Sequence, residues 1–285
     1  MTAQQLLLDW LKARLEKPSI LWLEEKAALL ATGAPDRVVF TSFSAALRFS
    51  GKDPLNLSAQ DLVKAETVVP GWKPSDWTRD QAARIFLLLS LPGNAGSAKV
   101  IDQIYHTADM GEAVALQKGL AVLPYPQGHM SWAREGIRNN IQEVFEAISL
   151  RNPYPALYFD DIGWNQLVVK TFFVGSPLHE VVGLDRRVNA DLSRMLTDLA
   201  FERWAAGREF SPELWRCVGP HANSRALEGL KKALTQGNLK EKRAAALALH
   251  ACQDNQAAKI LDLDAALAAQ VRNDKLTWEN FNHGA

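Results

Sequence analysis

The segment YFDDIGWNQLVVKTFF, residues 158–173, places three polar side chains inside an otherwise apolar run. Gln166 and Lys170 are four positions apart, so they share one face of a helix, whereas Asn165 projects about 100° away from Gln166. Two amides and an ammonium can hydrogen-bond an anionic or polyhydroxylated molecule. Because a buried polar group needs a partner, these residues predict either a ligand pocket or a set of structural hydrogen bonds.

A second helix, predicted over residues 185–206, supplies further polar and aromatic side chains. We expect Lys170 and Arg186 to meet the charged or hydroxylated head of a ligand, and Trp164 and Trp204 to form apolar walls. The predicted ligand-binding set comprises Trp164, Asn165, Gln166, Lys170, Arg186, Asn189, Arg203 and Trp204.

Each of these side chains also has a purely structural interpretation. Asp185 begins the predicted helix, where a carboxylate can cap the chain and interact with the helix dipole. Lys170 can pair with Asp198 or Glu202 across adjacent helices, and Asn165 can bind loop carbonyls. Asp185 and Glu202 are at the same time the weak catalytic candidates, because only these two carboxylates suit acid–base chemistry there. The abundance of Trp and Arg is also typical of protein-binding hot spots.

The common metal-binding and catalytic motifs are absent from the sequence. Its six histidines are scattered, without the HExxH or ExxH spacing of metal ligands. Dinucleotide-binding, phosphate-loop and nucleophile-elbow motifs do not occur. Cys217 and Cys252 form no CxxC pair, which is typical of a reduced protein with two incidental thiols. We therefore predict no metal and no cofactor, and binding is favoured over catalysis.

Composition and charge limit the expected partners and location. Of 285 residues, 32 are Lys or Arg and 32 are Asp or Glu, a balance that argues against a large nucleic-acid-binding face. The N-terminal stretch MTAQQLLLDWLKARLEK has the pattern of a first helix rather than of a signal peptide, and no apolar run reaches the length of a membrane span. We expect a cytoplasmic protein with no transmembrane segment and no nucleic-acid partner.

Helical patterns dominate the chain from end to end. Leu7, Leu11 and Leu15 mark an apolar stripe in the first segment, and period-two alternation is absent over any useful length. The fold class is therefore predicted to be all-α. Helix pairs recur at about 35–45 residues, which predicts an irregular HEAT-like α-solenoid of stacked helix pairs, with a compact irregular bundle as the alternative. We expect one helical domain over residues 1–285, with an N-terminal part at 1–92 and a HEAT-like part at 93–285.

A succession of motifs within residues 150–220 carries a resemblance to a known family. NPYPALYFDD, GWNQLVVK, GSPLHEVVGLDRR, ERWAAGR and PELWR follow one another in this order. Their order and spacing resemble the EboA family, whose members are encoded in the bacterial ebo gene cluster and are often described as metabolite traffic proteins. The resemblance transfers no catalytic residues to this chain.

The resemblance implies a context for function. Ebo clusters are similar in pairing such a protein with a prenyltransferase-like membrane protein and with enzymes resembling sugar-phosphate cyclases, TIM-barrel enzymes and metal-dependent hydrolases. In cyanobacteria the cluster is linked to export of a pigment precursor. This implies a protein that binds a small-molecule or prenylated, lipid-linked intermediate and contacts other ebo-cluster proteins, among them a membrane prenyltransferase. A scaffold for the ebo enzymes and an enzyme acting on a prenylated cyclitol are the alternatives.

Overall fold

The chain is α-helical in the computed structural model, which describes residues 1–281. These residues contain no β-strand, so the all-α prediction is confirmed. The helices are α1 (Ala3–Lys12), α2 (Lys17–Ala31), α3 (Asp36–Ser50), α4 (Ala59–Val68), α5 (Arg79–Leu88), α6 (Ala95–Thr107), α7 (Met110–Gly119), α8 (Met130–Arg138), α9 (Gln142–Ser149), α10 (Tyr154–Tyr158), α11 (Asp161–Phe173), α12 (Ala190–Ala205), α13 (Leu214–Val218), α14 (Ser224–Gln236), α15 (Leu239–Ala251), α16 (Asn255–Leu261) and α17 (Ala265–Arg272).

Several helices begin at capping residues that are visible in the sequence. Thr2, Ser58, Asp109 and Asn238 each accept a hydrogen bond from the backbone N–H three residues later, and the side chain at that later position bonds back to the cap. This reciprocal arrangement satisfies backbone groups that the first turn of a helix leaves without partners. Local chemistry therefore fixes many of the helix starts.

The chain divides into two compact units, Met1–Trp164 and Asn165–Ala285, with the division inside α11. We call them the first and the second unit. The single-domain organisation, the parts at 1–92 and 93–285, and the HEAT-like arrangement stay predictions. Among the described residues, no helix is both long and apolar enough to cross a membrane.

The first unit is built around α5, whose residues from Ala82 to Leu88 are all buried. α1, α2, α3 and α7 pack around it. The buried Arg84 donates to Asp80 at 2.9 Å, lies 3.7 Å from Glu112 and stacks 5.4 Å from the ring centroid of Phe43. A buried charge is tolerated only when it is paired, so these contacts allow α5 to occupy the centre.

His129 is a fully buried histidine of the first unit. Its Nε2 lies 3.0 Å from the carbonyl oxygen of Pro124, and its ring lies 5.3 Å from that of Trp132. Burial lowers the pKa of His129, and this effect outweighs the hydrogen bond to Pro124 and the charge of Asp102, which both act to raise it. The folded unit therefore holds this imidazole neutral.

The second unit is built around α15, in which every residue from Ala244 to Leu249 is buried. α13, α14, α16 and α17 pack against this helix. Alanine side chains let neighbouring backbones approach closely, and Gly219 shows how closely. A Cβ atom added at Gly219 would lie only 2.8 Å from the Cα atom of Ala248, and closer still to its carbonyl oxygen.

We predict that the stability of the protein decreases as the pH falls below about 6.5, in part through His129. The unfolded chain protonates this histidine in that range, whereas the folded state, with its lowered pKa, does not. Lowering the pH therefore favours unfolding. Urea denaturation at about pH 7.5 and pH 5.5 measures the effect, and the His129→Gln variant should lose less stability between the two. Equal losses in both proteins would contradict the assignment.

We predict that Gly219→Ala destabilises the protein by about 1–3 kcal/mol, because the added methyl group would overlap backbone atoms of Ala248 that cannot rotate away. Denaturant unfolding measures the change. Gly111→Ala is the matched control, since its Cβ atom would meet Asp109 Oδ1 at an ordinary 3.4 Å. If the two variants unfold alike, the close approach at Gly219 is not a constraint on packing.

Candidate functional site

Asn165 on α11 and Asn189 before α12 satisfy each other's side-chain amides. Asn189 Nδ2 donates to Asn165 Oδ1 at 2.9 Å, and Asn165 Nδ2 donates to Asn189 Oδ1 at 3.2 Å. Asn189 Oδ1 also accepts from the backbone N–H of Leu192 at 2.9 Å and thereby caps α12. Asn165 is 6% exposed. The pair is a structural link, and it explains one of the polar side chains of the apolar segment.

The start of α12 differs from the prediction. The helix begins at Ala190 rather than at residue 185, because Asn189 provides the cap. Asp185 lies in the preceding loop, so its interpretation as a helix cap was wrong. Both of its carboxylate oxygens instead accept hydrogen bonds from Arg216, each at 2.6 Å. This bidentate geometry is the strong form of an Arg–carboxylate pair.

A second polar pair joins the same loop to α13. His179 Nδ1 lies 3.2 Å from Oε1 of Glu213, whose side chain is 7% exposed. Arg216 Nη1 lies 3.9 Å from the same carboxylate oxygen. Asp185 and His179 therefore both fasten the loop between α11 and α12 onto α13.

Gln166 and Lys170 share a face of α11 with Phe173, and Arg203 of α12 approaches the Phe173 ring. Positions 166, 170 and 173 recur at the spacing of one helix face, and the Phe173 ring is 63% exposed. The Arg203 guanidinium lies 5.3 Å from its centroid. Partial burial lowers the pKa of Lys170. Three residues of the predicted binding set thus lie at one surface, where α11 is not fully buried as its apolar sequence suggested.

A cleft of about 610 Å³ opens where α12 ends. Its volume lies within the range of small-molecule sites. One wall is the segment that leaves α12, and the other is the start of α15. The lining residues are Trp204, Gly207, Arg208, Glu209, Phe210, Ser211, Pro212, Asn238, Lys240 and Glu241.

Trp204 brings the predicted set and the cleft together. Its ring centroid lies 5.5 Å from that of Phe210 and 5.8 Å from that of Trp215, in tilted arrangements. The Lys232 ammonium lies 4.3 Å from the Trp204 centroid, within cation–π distance. Trp204 therefore forms an aromatic wall of the cleft, and its contacts with neighbouring rings fix its position.

The remaining predicted residues have different surroundings. Trp164 belongs to the first unit and has no exposed surface, which is typical of a core residue. Arg186 is exposed in the loop before α12, and Glu202 is exposed on α12. Of the eight predicted ligand-binding residues, Trp204 is the one that lines the cleft.

The sequence reasoning missed most of the cleft. The stretch REFSPE, residues 208–213, contributes Arg208, Phe210 and Ser211 to the lining, although no residue of it belongs to the predicted binding set. Residues 238–241 had a local signal as the capping box of α15. Nothing in the sequence indicated that these two segments lie side by side.

The geometry of the cleft suits reversible binding, because it combines aromatic walls with exposed polar and charged side chains. Within residues 1–281, no group of three or more His, Cys, Asp or Glu side chains is placed to hold a metal ion. Residues 3–219 match the family model described as metabolite traffic protein EboA. Neither the curated proteins nor the solved structures gave a significant match.

We predict that Arg216→Met lowers the free energy of unfolding by about 1–3 kcal/mol, because it removes a bidentate pair and leaves the buried Glu213 without its nearby cation. Asp185→Asn should cost less, because Asp185 is 61% exposed. Urea denaturation of Arg216→Met, Asp185→Asn and the variant that combines them measures the coupling energy between the two side chains. The control, Arg194→Met, should change stability by less than about 0.5 kcal/mol, since that arginine is exposed. An equally small effect at Arg216 would contradict the prediction.

Proposed function

We propose that this chain, which belongs to the EboA family of metabolite traffic proteins, binds a small metabolite in the cleft between residues 204–212 and 238–241 and carries it without transforming it. The observation that carries the proposal is the cleft itself, whose volume of about 610 Å³ and aromatic wall at Trp204 suit a ligand of metabolite size. The cargo is a small or prenylated, lipid-linked intermediate of the ebo pathway.

Several features of the second unit support a binding role. Trp204 and Phe210 present apolar surface to the cleft, and Arg208, Ser211 and Lys240 offer hydrogen-bond donors beside it. The rings behind Trp204 hold it in place, so little conformational freedom is lost when a ligand stacks against it. Walls that are already ordered favour recognition of one class of molecule.

The surface around Phe173 extends this proposal. Gln166, Lys170 and Arg203 lie on the same unit as the cleft, and Phe172, next to Phe173, contacts Phe210 at a centroid distance of 6.0 Å. We propose that this surface receives the part of a long ligand that projects out of the cleft.

A protein–protein scaffold for the ebo enzymes is the second candidate. In the first unit, Leu157, Tyr158 and Ile162 are exposed apolar side chains at 56%, 38% and 68% of their surface. A contiguous patch of such side chains would suit an interaction surface. An enzyme acting on a prenylated cyclitol has less support, because both carboxylate oxygens of Asp185 are engaged by Arg216.

We predict that protein purified from cells expressing the whole ebo cluster releases a bound metabolite on denaturation, and that Ser211→Trp lowers the amount by at least about tenfold. The new indole would fill the cleft at an exposed lining position. Mass spectrometry of the released small molecules, normalised to protein, is the measurement.

Ser224→Trp is the control, because it adds the same bulk at an exposed position outside the cleft lining. It should retain the metabolite, and circular dichroism should show both variants folded. If both variants release equal amounts of the metabolite, the metabolite binds outside the cleft. A wild-type protein that releases no metabolite but captures other ebo-cluster proteins would favour the scaffold.

A further inference from the structure

Two aromatic side chains that line the cleft, Trp204 and Phe210, offer apolar ring surface to a ligand. The Trp204 and Phe210 rings meet at 57°, and Phe172 and Trp215 contact Phe210 at centroid distances of 6.0 and 6.4 Å. These rings are therefore supported from several sides. Planar or unsaturated molecules gain most from such walls, because offset stacking and edge contacts add to the burial of apolar area.

The charges at the cleft are not equivalent, although two are cationic and two anionic. Glu241 Oε2 accepts a hydrogen bond from the backbone N–H of Asn238 at 2.7 Å in the capping box of α15, which holds this carboxylate, with its charge, at the N-terminus of the helix. Arg208 and Lys240 are exposed and form no ion pair within residues 1–281. Glu209 and Glu241 therefore balance the two cations in number, but Glu241 is held against the helix backbone, whereas Arg208 and Lys240 remain available to a ligand.

Lys232 adds one positive charge beside the lining. Its ammonium lies 4.3 Å from the centroid of Trp204 and occupies the cation–π position of the wall residue. A second cation brought to Trp204 would be repelled by this ammonium, whereas an anion would be attracted. Although aromatic rings can bind ammonium ligands, Trp204 is therefore not expected to bind one.

We infer that the cleft binds an anionic molecule with a flat, unsaturated or aromatic body, its carboxylate or phosphate held by Arg208 and Lys240 and its body stacked on Trp204 and Phe210. This inference rests on the proposed function and names the class of its ligand. Both anions have oxygen acceptors that match the guanidinium and ammonium donors.

Isothermal titration of the full-length protein with naphthyl phosphate, naphthoate, naphthalenemethanol and naphthylmethylamine tests the class. The two anions should bind at least about tenfold more tightly than the alcohol, and the amine most weakly. Raising the salt concentration from about 50 mM to about 500 mM should weaken the anions and leave the alcohol nearly unchanged. Comparing phosphate with carboxylate shows which anion the cleft prefers.

Variants separate the contribution of charge from that of shape. Arg208→Gln and Lys240→Gln should each lower the affinity for naphthyl phosphate about tenfold without affecting the alcohol, and Phe210→Leu should weaken both probes. Lys259→Gln, an exposed lysine on α16 outside the lining, is the matched control and should change neither affinity.

Two results would overturn the inference while leaving the cleft as a binding site. One is equal affinity for the alcohol and the anions, and the other is tightest binding of the amine. If none of the four probes binds but a metabolite is released from wild-type protein and not from Ser211→Trp, the ligand class is wrong and the proposed function stands. If no probe binds and no metabolite is released, both are wrong.

Discussion

The alanine run of α15 sets the distance at which the helices of the second unit pack. Because residues 244–249 are entirely buried and four of them are alanine, the helices around them can approach nearly to backbone contact. Gly219 is the point at which no side chain fits at all. The first turn of α15, in contrast, contains the exposed Lys240 and forms one wall of the cleft.

Polar residues in the second unit serve two different purposes. The side-chain amides of Asn165 and Asn189 bind each other. Asp185 pairs with Arg216, and the buried Glu213 lies beside His179. These contacts fix the loop that leads into α12. Arg208, Glu209 and Lys240 in the cleft are exposed and form no ion pair within residues 1–281. The polar groups that stabilise the fold are therefore different residues from those available to bind a ligand.

The sequence was sufficient for the fold class and for the helices with strong caps. α15 begins at Leu239, where Asn238 and Glu241 form a capping box that is visible in the sequence. The start of α12 was misplaced because Asp185 has a capping residue's chemistry but a more distant partner in Arg216. The cleft could not be predicted, since residues 204–212 and 238–241 are brought together by packing and not by any periodicity.

The match to the family model ends at Gly219, which lies in the middle of the second unit. Gly219 packs against the backbone of Ala248, and α13 contacts α15, so residues inside the matched segment depend on a helix outside it. Lys240, at the far wall of the cleft, also lies beyond residue 219. Residues inside the matched segment therefore share their packing, and one wall of the cleft, with residues outside it.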